Sequence, residues 1–189
     1  TSPTPSILEH EIRDSDGNWS ATAAIPTPGN AATSPAIAQG ASGVMHLVWE
    51  EATASATDIH YKFWNGTTWD AGNTDLSQSA AVASDQPQIA VDSLDHVHVI
   101  WIESGTPDRL YYATNATGAW SAPADITPAN ETAAANLPDI AVDGSDHLHV
   151  VYSNGTDVMY FSHDGTSWQT TAQNLTSGET NASAYAEVT

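Results

Sequence analysis

Histidine and aspartate recur at matching positions along the sequence, and both residue types are suited to chemistry or metal binding. Two histidines at positions i and i+2 of one strand face can bind a transition metal. Equivalent side chains of neighbouring units should lie about 10 Å apart, the distance between packed sheets, which is too far to share one ion. We therefore interpret these histidines as a repeated consensus rather than a metal site: His46, His98 and His149, with His96 and His147 two residues before the last two.

Two short turns carry paired carboxylates that would suit a hard cation such as calcium. Asp92 and Asp95 bound the first turn, and Asp143 and Asp146 bound the second. The equivalent segment of an earlier unit, residues 39–43, has no aspartate. Aspartate is also the default residue of tight turns. These four residues are therefore weak metal candidates, and the sequence predicts no metal and no other cofactor.

The sequence offers no recognisable catalytic constellation. It has neither a nucleophile with a matching base nor a glycine-rich phosphate loop. Its many carboxylates leave a glycosidase-like acid pair open by residue type. None of them stands at a position that breaks the repeat described below, which is where a grafted active site should be visible. We therefore predict no catalytic residue and no enzymatic activity.

The histidines and aspartates belong to an internal repeat of roughly 50 residues, which two independent markers define. One marker is a proline followed by an apolar strand, a turn and a His-Val-His-Val run or a close variant. Its clearest copies span residues 86–101 and 137–152, and a weaker copy spans 35–49. The other marker is a tryptophan that recurs every 48 to 51 residues, at Trp19, Trp69, Trp120 and Trp168. Two markers with one period indicate a tandem array of one structural unit.

Each unit contains four short strand signals separated by turn residues, and helix signals are nearly absent. The third strands are predicted at residues 58–63, 109–113 and 158–162. The fourth strands are predicted to begin at the marker tryptophans and to run toward Leu76, Ile126 and Leu175. A single four-stranded sheet cannot bury both faces, so the units must stack on their neighbours. The predicted fold is all-β, with tandem four-stranded antiparallel blades in a β-propeller-like array that is open or closed.

The repeat divides the chain into six segments. These are 1–6 (linker), 7–33 (partial blade made of outer strands), 34–84, 85–136 and 137–180 (full blades), and 181–189 (start of the next blade). The chain is thus expected to carry outer strands at its start and an inner strand at its end. Because the four marker tryptophans hold equivalent positions, we interpret them as core between blades rather than as platforms for sugars.

The turns before the tryptophans resemble those of the Asp-box propellers found in sialidases and many secreted repeat proteins. That family carries Ser/Thr-x-Asp-x-Gly-x-Thr-Trp between the third and fourth strands. The corresponding turns here are residues 15–19, 65–69, 114–120 and 162–168, which differ in length or lack the aspartate. The resemblance implies a blade architecture. It does not imply sialidase activity, which uses three arginines to clamp a substrate carboxylate, because this chain has only Arg13 and Arg109.

The charge balance limits the classes of partner. Three basic residues face 23 acidic ones, which gives a net charge of -20. Such a chain repels nucleic acids and anionic lipid head groups, and no segment approaches the roughly 18 consecutive apolar residues of a membrane helix. We therefore expect neither nucleic-acid binding nor membrane insertion. The chain has no cysteine, which excludes disulfides and thiolate chemistry.

The start of the sequence and its asparagines indicate an exported protein. Thr1 is interpreted as a mature or excised terminus, since neither an initiator methionine nor a charged leader precedes it. Seven of the ten asparagines begin an Asn-x-Ser/Thr sequon, where chance predicts roughly two. Glycosylation would place these residues on an extracellular or cell-surface protein. The candidate glycosylation sites are Asn18, Asn65, Asn115, Asn130, Asn154, Asn174 and Asn181.

Two functions from different classes remain open. In the first, which we favour, the chain is a non-enzymatic structural protomer whose split terminal blades pair with other copies and form an extracellular filament or surface layer. In the second, it is a closed propeller, or part of a larger one, that binds glycans or proteins. The expected partners are therefore other copies of the chain and, in the alternative, glycans.

Overall fold

A computed structural model describes residues 7–28, 31–79, 81–177 and Val188. All helical or strand structure within these residues is β-strand. The predicted linker 1–6 and the predicted blade start 181–189, apart from Val188, lie outside the described residues. Nowhere in the described ranges is there a helix long and apolar enough to cross a membrane. The strands are β1 (Glu9–His10), β2 (Ala23–Ala24), β3 (Ala32–Gln39), β4 (Met45–Ala52), β5 (Thr57–Trp64), β6 (Thr74–Asp75), β7 (Ser84–Val91), β8 (Val97–Glu103), β9 (Arg109–Thr114), β10 (Ala124–Asp125), β11 (Asn136–Val142), β12 (Leu148–Ser153), β13 (Val158–His163) and β14 (Gln173–Asn174).

Strands β3 to β14 form three four-stranded antiparallel sheets that follow one another along the chain. Their orders are β3-β4-β5-β6, β7-β8-β9-β10 and β11-β12-β13-β14, and we call them the first, second and third blades. Strands β1 and β2 form a separate hairpin that precedes the first blade. Each strand pairs with its neighbour in sequence because tight turns connect them, and Gly66 and Gly165 adopt the positive φ that two of these turns require. The predicted all-β fold of tandem four-stranded antiparallel sheets is confirmed.

The apolar cores lie between successive sheets. Strand β7 contacts both β3 and β11, so the first strands of neighbouring blades lie beside one another. The backbone N–H of Val188 donates to Asp139 Oδ2 of β11 at 2.7 Å, which places this residue beside the third blade. One cluster joins the hairpin to the first blade, a second joins the first blade to the second, and a third joins the second to the third. Their members include, in that order, Leu8 and Trp49; Ile59 and Val99; and Ile100 and Phe161.

The fourth strands are shorter than the sequence predicts. Instead of starting at the marker tryptophans, β6, β10 and β14 have two residues each and lie further along the chain. In the first blade, the N–H of Phe63 donates to the side chain of Asp70 at 2.9 Å rather than to a backbone carbonyl. Ser121 and Gln169 accept a third-strand N–H in the same way in the other two blades. This side-chain acceptor, directly after each tryptophan, interrupts the backbone ladder and shortens the strand.

Three of the marker tryptophans tie neighbouring sheets together. Each packs against a ring on the preceding sheet, a contact that we call the tryptophan joint. The ring lies on the third strand of a blade or, for Trp69, on β1 of the hairpin. The joints pair Trp69 with His10, Trp120 with Tyr61 and Trp168 with Tyr112, at 5.7, 4.8 and 5.2 Å between ring centroids. The three tryptophans are half-buried and pack against the core clusters, so their predicted place between successive sheets is confirmed.

Trp19, the fourth marker, does not follow this pattern. It is 63% exposed, and the interpretation of this residue as core is wrong. The physical reason is that no sheet precedes the hairpin among the described residues, so the ring has no aromatic partner to cover it. The guanidinium of Arg13 lies over the indole instead, 5.8 Å from the ring centroid.

We predict that Trp120→Ala lowers the free energy of unfolding by about 3 kcal/mol, because the substitution empties a joint between two blades. Trp19→Ala is the matched control and should change it by about 0.5 kcal/mol or less, since this ring is already in solvent. Urea denaturation of the monomeric chain measures both values. Equal losses in the two variants would contradict the tryptophan joint as a stabilising contact.

Candidate functional site

A histidine from the second strand and a tyrosine from the third strand form a hydrogen-bonded pair in every blade. The rings are close to parallel, with centroids 6.0 Å apart in each case. The sequence pointed to the histidines but not to their tyrosine partners, although the tyrosines recur with the same period. The pairs are His46 with Tyr61, His98 with Tyr112 and His149 with Tyr160, with Nδ1 to Oη distances of 2.7, 2.7 and 2.8 Å.

An aspartate extends this pair in the second and third blades. His98 Nε2 lies 3.4 Å from Asp92 Oδ2, and His149 Nε2 lies 3.2 Å from Asp143 Oδ2. The first blade has Gly40 at the matching position, so Nε2 of its buried histidine has no hydrogen-bond partner among the described residues. The geometry is thus an Asp-His-Tyr chain that holds a turn, a second strand and a third strand together.

The second aspartate of each turn reaches the preceding blade. Asp95 accepts the N–H of Ser42 at 3.2 Å, and Asp146 accepts the N–H and hydroxyl of Ser93 at 2.8 and 2.7 Å. A Cβ on Gly40 would lie 2.2 Å from Asp95 Oδ1, so the missing side chain in the first blade makes room for this contact. The four carboxylates proposed as weak metal candidates therefore accept hydrogen bonds within turns or between blades.

Groups of three or more ligating side chains suited to a metal do not occur in the described part of the chain. In each turn one carboxylate is directed to its own blade and the other to the preceding blade. The geometry therefore gives these aspartates a structural use.

Burial sets the protonation of the Asp-His-Tyr chain in the second blade. It lowers the pKa of His98, against the opposing effect of Asp92, and it raises the pKa of Tyr112 to about 12. Burial also acts to raise the pKa of Asp92, but hydrogen bonds from His96, Leu94 and His98 outweigh it and lower that pKa. At neutral pH the chain therefore consists of a carboxylate, a neutral imidazole and a phenol, which suits hydrogen bonding rather than proton transfer near neutrality.

The same chain is open to solvent in the third blade. The side chain of His149 is 28% exposed, against 9% for His98, and Asp143 is 37% exposed, against 8% for Asp92. The third blade covers these groups in the second blade, whereas no described sheet covers them in the third. We call this surface, formed by Asp143, His147, His149 and Tyr160, the acceptor face.

The opposite end of the array exposes the hairpin. Arg13 and Trp19 lie on its outer side, and we call this surface the donor face. Beside the hairpin runs an apolar groove of about 220 Å³, lined by Leu8, Ile25 and Ile37 among others. Ile37 is 56% exposed there because the hairpin has only two strands and leaves the first strand of the first blade uncovered.

Six of the seven sequons lie in the described residues, and Asn181 lies outside them. Asn18, Asn65 and Asn130 are exposed, whereas Asn115, Asn154 and Asn174 are half-buried. Asn130 forms two hydrogen bonds with the backbone of Ala172, which lies in the third blade's turn region.

We predict that Asn65 carries a glycan more often than Asn154 when the chain is produced in a glycosylating secretory host. The Oδ1 of Asn65 accepts two turn N–H groups, and its Nδ2 makes only a 3.5 Å contact with Thr68. The Nδ2 of Asn154 instead donates to the carboxylate of Glu131 at 3.2 Å. Glycopeptide mass spectrometry measures the occupancies, and full occupancy of Asn154 with an empty Asn65 would contradict the prediction.

A further prediction concerns acid stability. Hydrogen bonds from the backbone of His147 and Ser145 lower the pKa of Asp143 to about 2. A carboxyl group with a lowered folded-state pKa stabilises the fold above its unfolded pKa, and this contribution is lost as the pH falls through the folded value. We expect Tm to drop between about pH 4 and pH 2, and to drop less in Asp143→Asn, which keeps an acceptor oxygen that does not titrate. Parallel Tm curves for the two proteins would contradict this assignment.

No protein-family model matches the chain, and no curated protein matches it. Solved structures do match its fold. An ulvan lyase of a polysaccharide lyase family, solved bound to a GlcA-Rha3S unit, has a TM-score of 0.57 at 12% identity, over 89% of this chain and 50% of that chain. The intramolecular trans-sialidase from Ruminococcus gnavus has a TM-score of 0.53 at 13% identity, over 89% and 39%. A mutant of the NanB sialidase from Streptococcus pneumoniae has a TM-score of 0.52 at 12% identity, over 84% and 27%.

These likenesses establish the architecture. The chain has a β-propeller-type fold, related to that of sialidase-like proteins, and it spans half or less of the length of each of these three structures. At such low identities the likeness concerns the fold alone.

Proposed function

We propose that this chain is a non-enzymatic structural protomer that associates end to end with other copies and builds an extracellular filament or surface layer. The donor face of one copy would dock on the acceptor face of the next. Such a contact is heterologous, because two different surfaces meet, and it forms an open filament where the rotation between copies does not close a ring.

The observation that carries this proposal is the tryptophan joint and its two exposed halves. The joint recurs at three successive interfaces within the described residues. Trp19 exposes the indole half on the donor face, and Tyr160 lies on the acceptor face at the position that His10, Tyr61 and Tyr112 hold within the joints. If two copies were related by the same rotation and translation that relate one blade to the next, Trp19 of one copy would pack on Tyr160 of the other.

Exposed apolar surface beside the hairpin also supports association. Strands of another copy that extend the two-stranded hairpin would cover Ile37 and the groove between the hairpin and the first blade, both of which now meet solvent. Apolar surface removed from water contributes roughly 25 cal/mol per Å², so a docked copy gains most where the exposed side chains are large.

The absence of enzymatic activity and the extracellular location are part of the proposal. With two arginines in the sequence, the three-arginine clamp of sialidases cannot be formed. We also propose that these turns derive from Asp-box turns. In support, the side chains of Asp164 and Asn65 each accept hydrogen bonds from two turn N–H groups. The sequons and the strongly acidic surface support export.

The second candidate is a β-propeller module that binds glycans, closed on itself or completed by further blades. The observation in its favour is that the ulvan lyase and the two sialidases that share its fold act on carbohydrates, as their names state. Under this alternative the chain stays monomeric and binds oligosaccharides, so particle size and glycan binding separate the two functions.

We predict that the 189-residue chain sediments as larger species with rising concentration, and that Trp19→Ala abolishes this growth without lowering stability. Val82→Ala is the matched control, since Val82 is also exposed but lies on neither end face. Sedimentation velocity and negative-stain imaging give the particle size. A wild-type chain that stays monomeric at all concentrations would contradict the proposal and favour the glycan-binding module.

A further inference from the structure

We infer that Arg13 selects the partner copy by pairing with Asp143 on its acceptor face. This inference rests on the proposed end-to-end association and names the contact that would set its direction. The occupant of the acceptor face is thus a second copy of this chain, held by an arginine-carboxylate pair beside a tryptophan joint.

The position of Arg13 in the repeat carries the first step. Arg13, Trp64 and His163 are equivalent, because each forms an isolated antiparallel bridge with the marker tryptophan of its own sheet. In each case the residue stands at the end of the third strand or its counterpart, directly before the turn. What Trp64 and His163 contact therefore indicates what Arg13 would contact in an assembled pair.

Both equivalents lie next to the tryptophan joint with the preceding sheet. The ring of Trp64 lies 5.2 Å from the ring of His10 in the hairpin. The ring of His163 in the third blade lies 5.0 Å from the ring of Trp168, which packs on Tyr112 of the second blade. By the same relation, Arg13 of one copy would lie beside Tyr160 of the copy before it. Tyr160 is hydrogen-bonded to His149 and through it to Asp143, so Asp143 is the carboxylate of the chain that Arg13 would meet.

The charges on the two faces are complementary. Lys62 is buried and donates to the backbone of Gly72, and Arg109 lies on β9 of the second blade, so Arg13 is the cation of the donor face among the described residues. The lowered pKa of Asp143 keeps that carboxylate ionised at neutral pH. A guanidinium and a carboxylate can form two parallel hydrogen bonds, which fix orientation as well as distance.

Arg13 also stands next to the ring that would dock. Its guanidinium lies over Trp19, and its Nε donates to the carbonyl of Gly17 at 3.2 Å, so the side chain is oriented before association. The other charges nearby are Asp14 on the donor face, which accepts hydrogen bonds from Asn18, and His147 on the acceptor face, 3.4 Å from Asp143.

Such a pair would impose direction. Two donor faces would bring like guanidinium groups together, and two acceptor faces would bring like carboxylates together, so only the head-to-tail pairing joins opposite charges. In a chain with a net charge of -20, one local attraction at the contact point also offsets part of the general repulsion between copies.

Charge exchange between the faces tests the inference. Arg13→Glu makes the donor face acidic, and the double variant Asp143→Asn with His147→Arg makes the acceptor face basic while keeping an acceptor oxygen for the turn. Each protein alone should self-associate at least about tenfold more weakly than the wild type in sedimentation velocity at pH 7. An equimolar mixture should regain assembly, because every donor face then meets a face of opposite charge.

A matched pair of neutral variants controls for net charge. Arg13→Gln and Arg109→Gln remove the same charge, and only the first should weaken association. If the two charge-exchanged proteins assemble alone as well as the wild type, or if their mixture stays monomeric, the Arg13–Asp143 pair is overturned while wild-type assembly still supports the proposed function. If the wild type itself never assembles, the proposed function is overturned, and this inference with it.

Discussion

The array depends on one constraint, which is that a four-stranded sheet with two apolar faces has to be covered on both. The tryptophan joint is where this constraint is met, because an indole from one sheet packs on a third-strand ring of the sheet before it. The joint buries apolar area and fixes the rotation between sheets at the same time. The structure of each blade is therefore incomplete without its neighbour, as in other repeat architectures.

The aspartates add a second link that the apolar contacts cannot provide. Asp92 and Asp143 stabilise their own turns and hold the histidines, while Asp95 and Asp146 reach serines of the preceding blade. The first blade lacks the link within its turn, because Gly40 leaves Nε2 of its histidine without a partner among the described residues, while Asp95 still reaches across to Ser42. The second blade has both links, since Asp92 holds His98 and Asp146 reaches Ser93.

Much of the fold could be predicted from the sequence, because its signals are local. Alternation with period two gives the strands, and the recurring tryptophans give the repeat and its contacts between blades. The tyrosine partners, the aspartate bonds across blades and the short fourth strands were missed. Each depends on which side chain reaches a given N–H or ring nitrogen in space, as Asp70 does for Phe63, and sequence spacing does not contain that information.

Trp19 shows a different limit of repeat-based reasoning. A repeat treats all copies as equivalent, but the copies at the two ends of an array have a neighbour on one side only. The same residue type is half-buried against the core in Trp120 and exposed in Trp19, and the same Asp-His-Tyr chain is covered in the second blade and open in the third.

The contrast between inner and end copies explains where a surface for a partner should lie. In the inner blades, the aromatic groups that form the joints already contact a neighbouring blade, so the remaining surface is mainly turns and strand edges. The end faces retain the full set: an indole under a guanidinium on one, and a tyrosine, a histidine and an ionised aspartate on the other. Because each set is the complement of the other, the geometry that stacks one blade on the next within the chain also defines how a second chain would continue the stack.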